Sequence, residues 1–156
     1  MKLYTVSFTA QAATVQVDFF EITAAATRIL LVHAIELYQS TEVGDAMEEV
    51  LAVLVKRQTS ASTSGTGGAS PTPAPVEANQ GASGFTADTM NTTKATGGTP
   101  VTLAGYAWNV RGPFEKIYTP EMRWVVSPSE RLTVELATTP VDSITFSGTM
   151  TVEEVG

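Results

Sequence analysis

One histidine, no cysteine and sixteen carboxylates bound the chemistry open to this 156-residue chain. His33 stands among Leu31, Val32, Ala34 and Ile35. A Ser-His-acid triad would have to use it. No G-x-S-x-G accompanies it, and the "GASG" from Gly81 to Gly84 lacks the flanking spacing of a nucleophile elbow. His33 therefore reads as a structural histidine whose ring nitrogens are satisfied within the fold. Absence of cysteine removes the thiolate nucleophile, the thiolate metal site and the disulfide.

The acids of "STEVGDAMEE" (Glu42, Asp45, Glu48 and Glu49) invite comparison with a Ca²⁺ loop. They lack the D-x-D-x-D-G order that sets the ligand geometry of such a loop, and read as a solvated turn or the start of a helix. Tyr106 and Trp108 share one strand face, and Trp124 follows in "EMRWVV". Aromatics so placed either stack on a sugar ring or fill a core, and the core is their commoner use. Gly97 and Gly98 make a turn, with no phosphate-binding fingerprint around them. No catalytic, cofactor-binding or metal-binding residue is assigned, no cofactor is expected, and the chain reads as no enzyme.

Net charge is −7, and the nine Lys and Arg are scattered. Neutralising phosphates needs clustered cations, so nucleic acid is not an expected partner. No run approaches the ~20 apolar residues of a membrane helix, so no membrane is expected either. The opening "MKLYTVSFTAQAATVQ" alternates polar and apolar residues where a leader peptide would be continuously apolar. It reads as a strand of a chain that begins at Met1 and is made in a cytoplasm.

The elements that must position these residues are strands, because period-two alternation dominates. Tyr4, Val6, Phe8 and Ala10 fall on one face of the first. Val15, Val17 and Phe19 alternate with Gln16 and Asp18, then parity slips to Phe20 and Ile22, the signature of a β-bulge. "RILLVHAIELYQS" is apolar and β-branched, a strand. "DAMEEVLAVLVKR" also fits helical spacing through Met47, Val50, Leu51, Leu54 and Val55, but its β surroundings favour a strand. Later, Val101 and Leu103 take one parity and Tyr106, Trp108 and Val110 the other, with Gly105 at the switch. "RLTVEL" sends Leu132, Val134 and Leu136 inward and Arg131, Thr133 and Glu135 outward; "SITFSGTMTVEEV" sends Ile144, Phe146, Met150 and Val152 inward.

These runs predict an all-β fold: a single antiparallel β-sandwich or jelly-roll-like domain of about eight strands spanning 1–156. One stretch interrupts it, the Gly/Ser/Pro-rich 60–84, "SASTSGTGGASPTPAPVEANQGASG". As a linker it would leave two small cores, each marginal without staples. It is expected instead as a long exposed loop or arm of one domain. Pro71, Pro73 and Pro75 within it suit an extended segment lying against another subunit, because proline lowers the cost of ordering. A second candidate contact is "YTPEMRWVVSPSERLTVEL", where Glu121, Arg123, Glu130 and Arg131 flank two proline turns. There, arginines would meet carboxylates of a neighbouring subunit.

In the opening "YTVSFTAQAATVQVDFFEI", the "QSTEVGDAMEE" turn, the Gly/Ser-then-Pro tract and "TPEMRWVVSPSERLTVEL" before a Thr-rich last strand, the chain resembles small β-rich structural proteins of tailed bacteriophages. The family in question is the capsid decoration, or cement, type. The resemblance implies a virion protein without enzymatic activity on the outer capsid surface, made in the host cytoplasm. Its implied partners are the major capsid protein and further copies of itself, often as a homotrimer. The alternatives are a virion-borne adhesin or carbohydrate-binding sandwich, and a tail or head–tail connector subunit.

Overall fold

A computed structural model describes residues 1–42, 44 and 48–156; the readings that fall on Asp45 and Met47 lie outside them. The described chain is all-β. Its strands are β1 (Lys2–Ala13), β2 (Asp18–Thr23), β3 (Ile29–Gln39), β4 (Val50–Gln58), β5 (Ser62–Thr63), β6 (Ala74–Pro75) and β7 (Thr86–Asn91). They continue as β8 (Thr96–Gly97), β9 (Val101–Asn109), β10 (Phe114–Ile117), β11 (Trp124–Val126), β12 (Arg131–Leu136) and β13 (Ile144–Val155). One 3-10 turn, Pro120–Met122, separates β10 from β11.

Two antiparallel sheets carry the fold, in the manner of a β-sandwich. One runs β10-β3-β13-β1-β6, with β11 also on β3; the other runs β7-β2-β12-β4-β9. Each draws strands from both sides of the Gly/Ser/Pro tract. Apolar residues at alternate positions point into the space between the sheets, as the period of two requires. Phe8 of β1 stacks on Phe19 of β2 at 6.3 Å, and Phe19 meets Phe146 of β13 edge-on at 5.1 Å. Trp108 of β9 packs on Phe146 at 5.7 Å, so the aromatic seam runs from one side of the core to the other.

The segment from Val50 onward is a strand, with Leu51, Val53 and Val55 fully buried on one face. The parity slip in β2 is a bulge: Val134 pairs with Phe20 and Glu135 with Asp18, leaving Phe19 as the extra residue. Both phenylalanines thereby reach the core, each fully buried. The slip in β9 falls two residues earlier than Gly105, because Val55 pairs with Ala104 and Lys56 with Thr102, which leaves Leu103 unpaired. Two further expectations are corrected. Ala10 does not share the inner face of β1; the register shifts between Phe8 and Gln11, and Ala10 is exposed at φ 51°. Arg131, Thr133 and Glu135 do not face water, since all six residues of β12 are buried.

The outer face of β12 is covered partly by the tract, through Ser62 on Arg131, and partly by Lys56 and Lys94 on Glu135. Thr66 bridges Thr93, Ala69 bridges Thr89, and β6 pairs with Tyr4 and Thr5 of β1. The chain from 60 to 84 thus forms a strap, exposed on its outer side and hydrogen-bonded to the domain on its inner side.

Gly148 of β13 marks the tightest point of the core. A Cβ there would stand 2.8 Å from Phe8, 2.9 Å from Leu37 and 3.0 Å from Phe20. Gly148→Val is expected to destabilise the protein by about 1–3 kcal/mol through overpacking. Gly81→Ala, with open space around it, should stay within about 0.5 kcal/mol of the parent in urea unfolding.

Candidate functional site

The seven candidate contact residues do not converge. Pro71, Pro73 and Pro75 lie on the strap beside β1, at one edge of the first sheet. Pro73 is buried, Pro71 half-buried, and Pro75 exposed opposite Tyr4. Glu121 is exposed in the 3-10 turn at the opposite edge, beyond β3. Arg123, half-buried next to it, turns inward to Glu153 at 3.8 Å. Glu130 accepts a hydrogen bond from the Ser127 amide at 3.3 Å, closing its own proline turn. Arg131 is buried against Glu21 at 2.7 Å. Two of the expected intersubunit arginines therefore serve the fold of their own chain.

Glu21 is the centre of a buried polar layer beneath the strap. One of its oxygens accepts from Ser64 Oγ at 2.5 Å and from Arg131; the other accepts from the Gly65 amide at 2.9 Å and from Asn91 Nδ2 at 3.2 Å. Arg131 also donates to Thr23 Oγ1 at 3.2 Å and to Ser62 Oγ. Glu135 takes Lys56 and Lys94 at 2.5 Å each. Burial pushes the Glu135 carboxyl up, but the two lysine hydrogen bonds outweigh it and hold the group below the usual carboxylate range. Asp18 accepts from the Ala95 amide at 2.9 Å. Burial pushes its carboxyl up to about 7, with Glu135 and Glu21 adding to the rise and the Ala95 and Lys94 contacts opposing it.

A second site lies where the sheets end at β9 and β10. An open groove of about 760 Å³ is lined by Tyr106, Trp108, Phe114 and Lys116, among others. Tyr106 meets Phe114 edge-on at 5.4 Å, and Lys116 Nζ stands 4.7 Å from the Tyr106 ring centre, a cation–π distance. Trp108 is 3% exposed and donates from Nε1 to the Gly112 carbonyl at 2.7 Å. Tyr118 stacks edge-on against Trp124, and its hydroxyl lies 3.4 Å from that of Tyr106. Burial, then the Tyr106 contact, pushes the Tyr118 phenol above its ordinary range. Trp108 is thus a core side chain, while Tyr106 and Trp124 close the side of the core. Along the same edge, Ile117 is 79% exposed, Met122 62% and Val125 49%. Sequence alternation alone missed this apolar rim, because it depends on β10 and β11 lying end to end on β3.

The remaining candidates are accounted for locally. His33 Nε2 lies 2.8 Å from Glu153 across the β3–β13 pair, so the histidine is held as a structural group. Of the four acids considered for a cation, Glu48 accepts from Asn109, while Glu42 and Glu49 meet Asp142, their carboxylate oxygens within 4.8 Å of one another. Glu49 already accepts from the Val141 amide at 2.8 Å, and Glu42 from Thr41 at 3.4 Å. Asp142 lies too far along the chain for spacing to have linked it to this group.

Comparison with protein-family models, with curated proteins and with solved structures finds no match to this chain.

The polar layer makes two predictions. Glu21→Gln leaves Arg131 buried without its counter-charge and should cost about 3–5 kcal/mol in urea unfolding, with faster amide exchange at Gly65 and Gly68. Asp18 binds its proton more tightly folded than unfolded, where its value is 3.8. Its contribution is therefore full at low pH and is lost as pH rises from about 4 to about 7. The loss amounts to up to about 4 kcal/mol. Asp18→Asn should flatten that part of the stability–pH curve.

Proposed function

We propose that this chain is a non-enzymatic virion structural protein that binds a phage capsid as a decoration subunit. The observation that carries the reading is the exposure of Ile117, Met122 and Val125 along the one edge formed by β10, the 3-10 turn and β11 of a chain whose net charge is −7. Large exposed apolar side chains gathered on one edge are the mark of a surface that another protein covers. Strand order supports it. We read β1-β13-β3-β10 and β2-β12-β4-β9 as the two four-stranded sheets of a jelly roll, eight strands in all, with the strap and β7 inserted between β4 and β9. Jelly rolls recur in capsid and lectin domains, an analogy of fold and not of site. A subunit that binds the closed shell and not its free parts stabilises the shell by mass action.

The adhesin reading draws on the same fold, but its stacking platform is reduced: Trp108 is buried and the Tyr106 ring is occupied by Lys116. In the decoration reading the partners are the major capsid protein and other copies of this chain, on the outer surface of the head.

Immunogold labelling of virions from the source lysate should spread over the icosahedral heads. Label confined to tail tips would move the protein to the adhesin class, and virions without label would sink the proposal. Ile117→Asp with Val125→Asp, both on the solvent side of their strands, should leave urea unfolding unchanged within about 1 kcal/mol. The pair should weaken co-sedimentation with heads at least tenfold, taking each lost apolar anchor as worth about 1 kcal/mol or more.

A further inference from the structure

Two short stretches far apart in sequence close into one ribbon over the outer face of the second sheet. Residues 59–66, TSASTSGT, carry β5, and residues 93–98, TKATGG, carry β8. Their main chains hold each other: the Thr59 amide donates to the Gly98 carbonyl at 2.7 Å, Ser62 and Thr63 pair with Gly97 and Thr96, and Thr66 and Thr93 exchange bonds at 2.9 and 3.0 Å. The ribbon contains no Val, Leu, Ile, Met or aromatic residue, and Gly65 is its one buried position.

It meets the sheet through polar groups. Ser64 Oγ and the Gly65 amide donate to Glu21, and Ser62 accepts from Arg131. Lys94 reaches Gln16 at 2.7 Å and Glu135 at 2.5 Å, and the Ala95 amide donates to Asp18 at 2.9 Å. Water replaces a released hydrogen bond but not a released apolar contact. A segment anchored only by the former opens at less cost than the whole domain. Its ends allow the movement. Gly67 (φ 89°) follows one leg, and Gly97 and Gly98 (φ 74° and 61°) end the other.

The floor beneath the ribbon is rich in carboxylates. Asp18 lies directly opposite Glu135 in the β2–β12 pairing, Glu21 follows on β2, and Asn91 faces Asp18 from β7. Glu21 has Arg131 as counter-ion, and Glu135 has Lys56 and Lys94. Asp18 makes no ion pair among the described residues, and the Ala95 amide it holds belongs to the ribbon. Ionised under the closed ribbon, it is a buried carboxylate facing two others.

From this arrangement we infer that 59–66 and 93–98 form a flap that lifts from the sheet as a unit while the core stays folded, and that the proton on Asp18 sets how firmly it closes. Lifting the flap lets water reach Asp18, so the open state favours the carboxylate. The closed state favours the acid. Burial is the largest cause, Glu135 and Glu21 add to it, and the Ala95 amide and Lys94 oppose it, leaving the group at about 7 against an ordinary 3.8. The flap is therefore held most firmly in acid, loosens as pH rises from about 4 to about 7, and loosens no further above that. Glu135, held below the usual carboxylate range by its lysines, stays ionised across the upper part of this window. The inference stands apart from the capsid reading and needs no virion.

Hydrogen exchange followed by NMR on the full chain reads the flap at two amides, Gly65 on Glu21 and Ala95 on Asp18. After correction for intrinsic rates, both should exchange together and at least about tenfold faster than the amides of β13, which is paired on both sides. Low urea should leave these two unchanged, because the flap uncovers little apolar surface, while β13 amides speed up. Their protection should fall about tenfold per pH unit from about pH 5 to about 7 and then level off. Asp18→Asn keeps an acceptor for the Ala95 amide but cannot ionise, and should remove that slope. Gly65 and Ala95 exchanging at the β13 rate, or a parent protein whose protection at these amides ignores pH, overturns the proposal. So does an Asp18→Asn protein that keeps the parent's slope.

Discussion

The buried ion pair between Glu21 and Arg131 is the constraint from which much of this structure follows. A carboxylate and a guanidinium taken out of water need their remaining hydrogen bonds met by the protein, or the desolvation cost exceeds their attraction. Here the strap meets them. Ser64 and the Gly65 amide complete Glu21, and Ser62 completes Arg131. A glycine- and serine-rich segment with almost no apolar side chains to bury is thereby held in one place. The strap is held as well by the Thr66–Thr93 and Ala69–Thr89 backbone bonds and by the pairing of β6 with β1, so the ion pair anchors its first turn and not the whole of it.

That arrangement explains why the second sheet has two unlike outer halves. Over β2 and β12 a polar layer lies under main chain, with Lys56 and Lys94 converging on Glu135 and Asp18 receiving the Ala95 amide. Over β4 and β9 no strap runs, and small apolar residues reach the surface. The strap also hydrogen-bonds along β7 and sends β6 to β1, so it blunts the edges on its own side of the sandwich. On the opposite side, among the described residues, β9 has no strand on its outer edge, and Ile117, Met122 and Val125 are exposed.

Much of the strand architecture was legible in the residues. The alternation in β13 and the core face of β1 as far as Phe8 follow directly from the period of two, and the double phenylalanine at 19–20 marked its own bulge. The helix-compatible spacing of Val50, Leu51, Leu54 and Val55 resolved as a strand because β12 and β9 flank it on both sides. Alternation failed at Arg131, Thr133 and Glu135. Polar residues on the outer parity of a strand look solvent-facing whether water or another segment covers them, and only the tertiary path of the strap and the placing of Lys56 and Lys94 distinguish the two.

By itself, then, the sequence determined the all-β class, the inward-facing side chains of β12 and β13 and the acidic, cysteine-free composition, since these depend on local period and residue type. Tertiary structure decided which arginines are available. Arg123 and Arg131 look like surface charges beside proline turns, yet find Glu153 and Glu21 at separations of 30 residues and 110. It also decided where the exposed apolar residues gather and which edge stays bare. Those properties belong to the order of strands in the sheets, and sequence distance carries no information about which strands become neighbours.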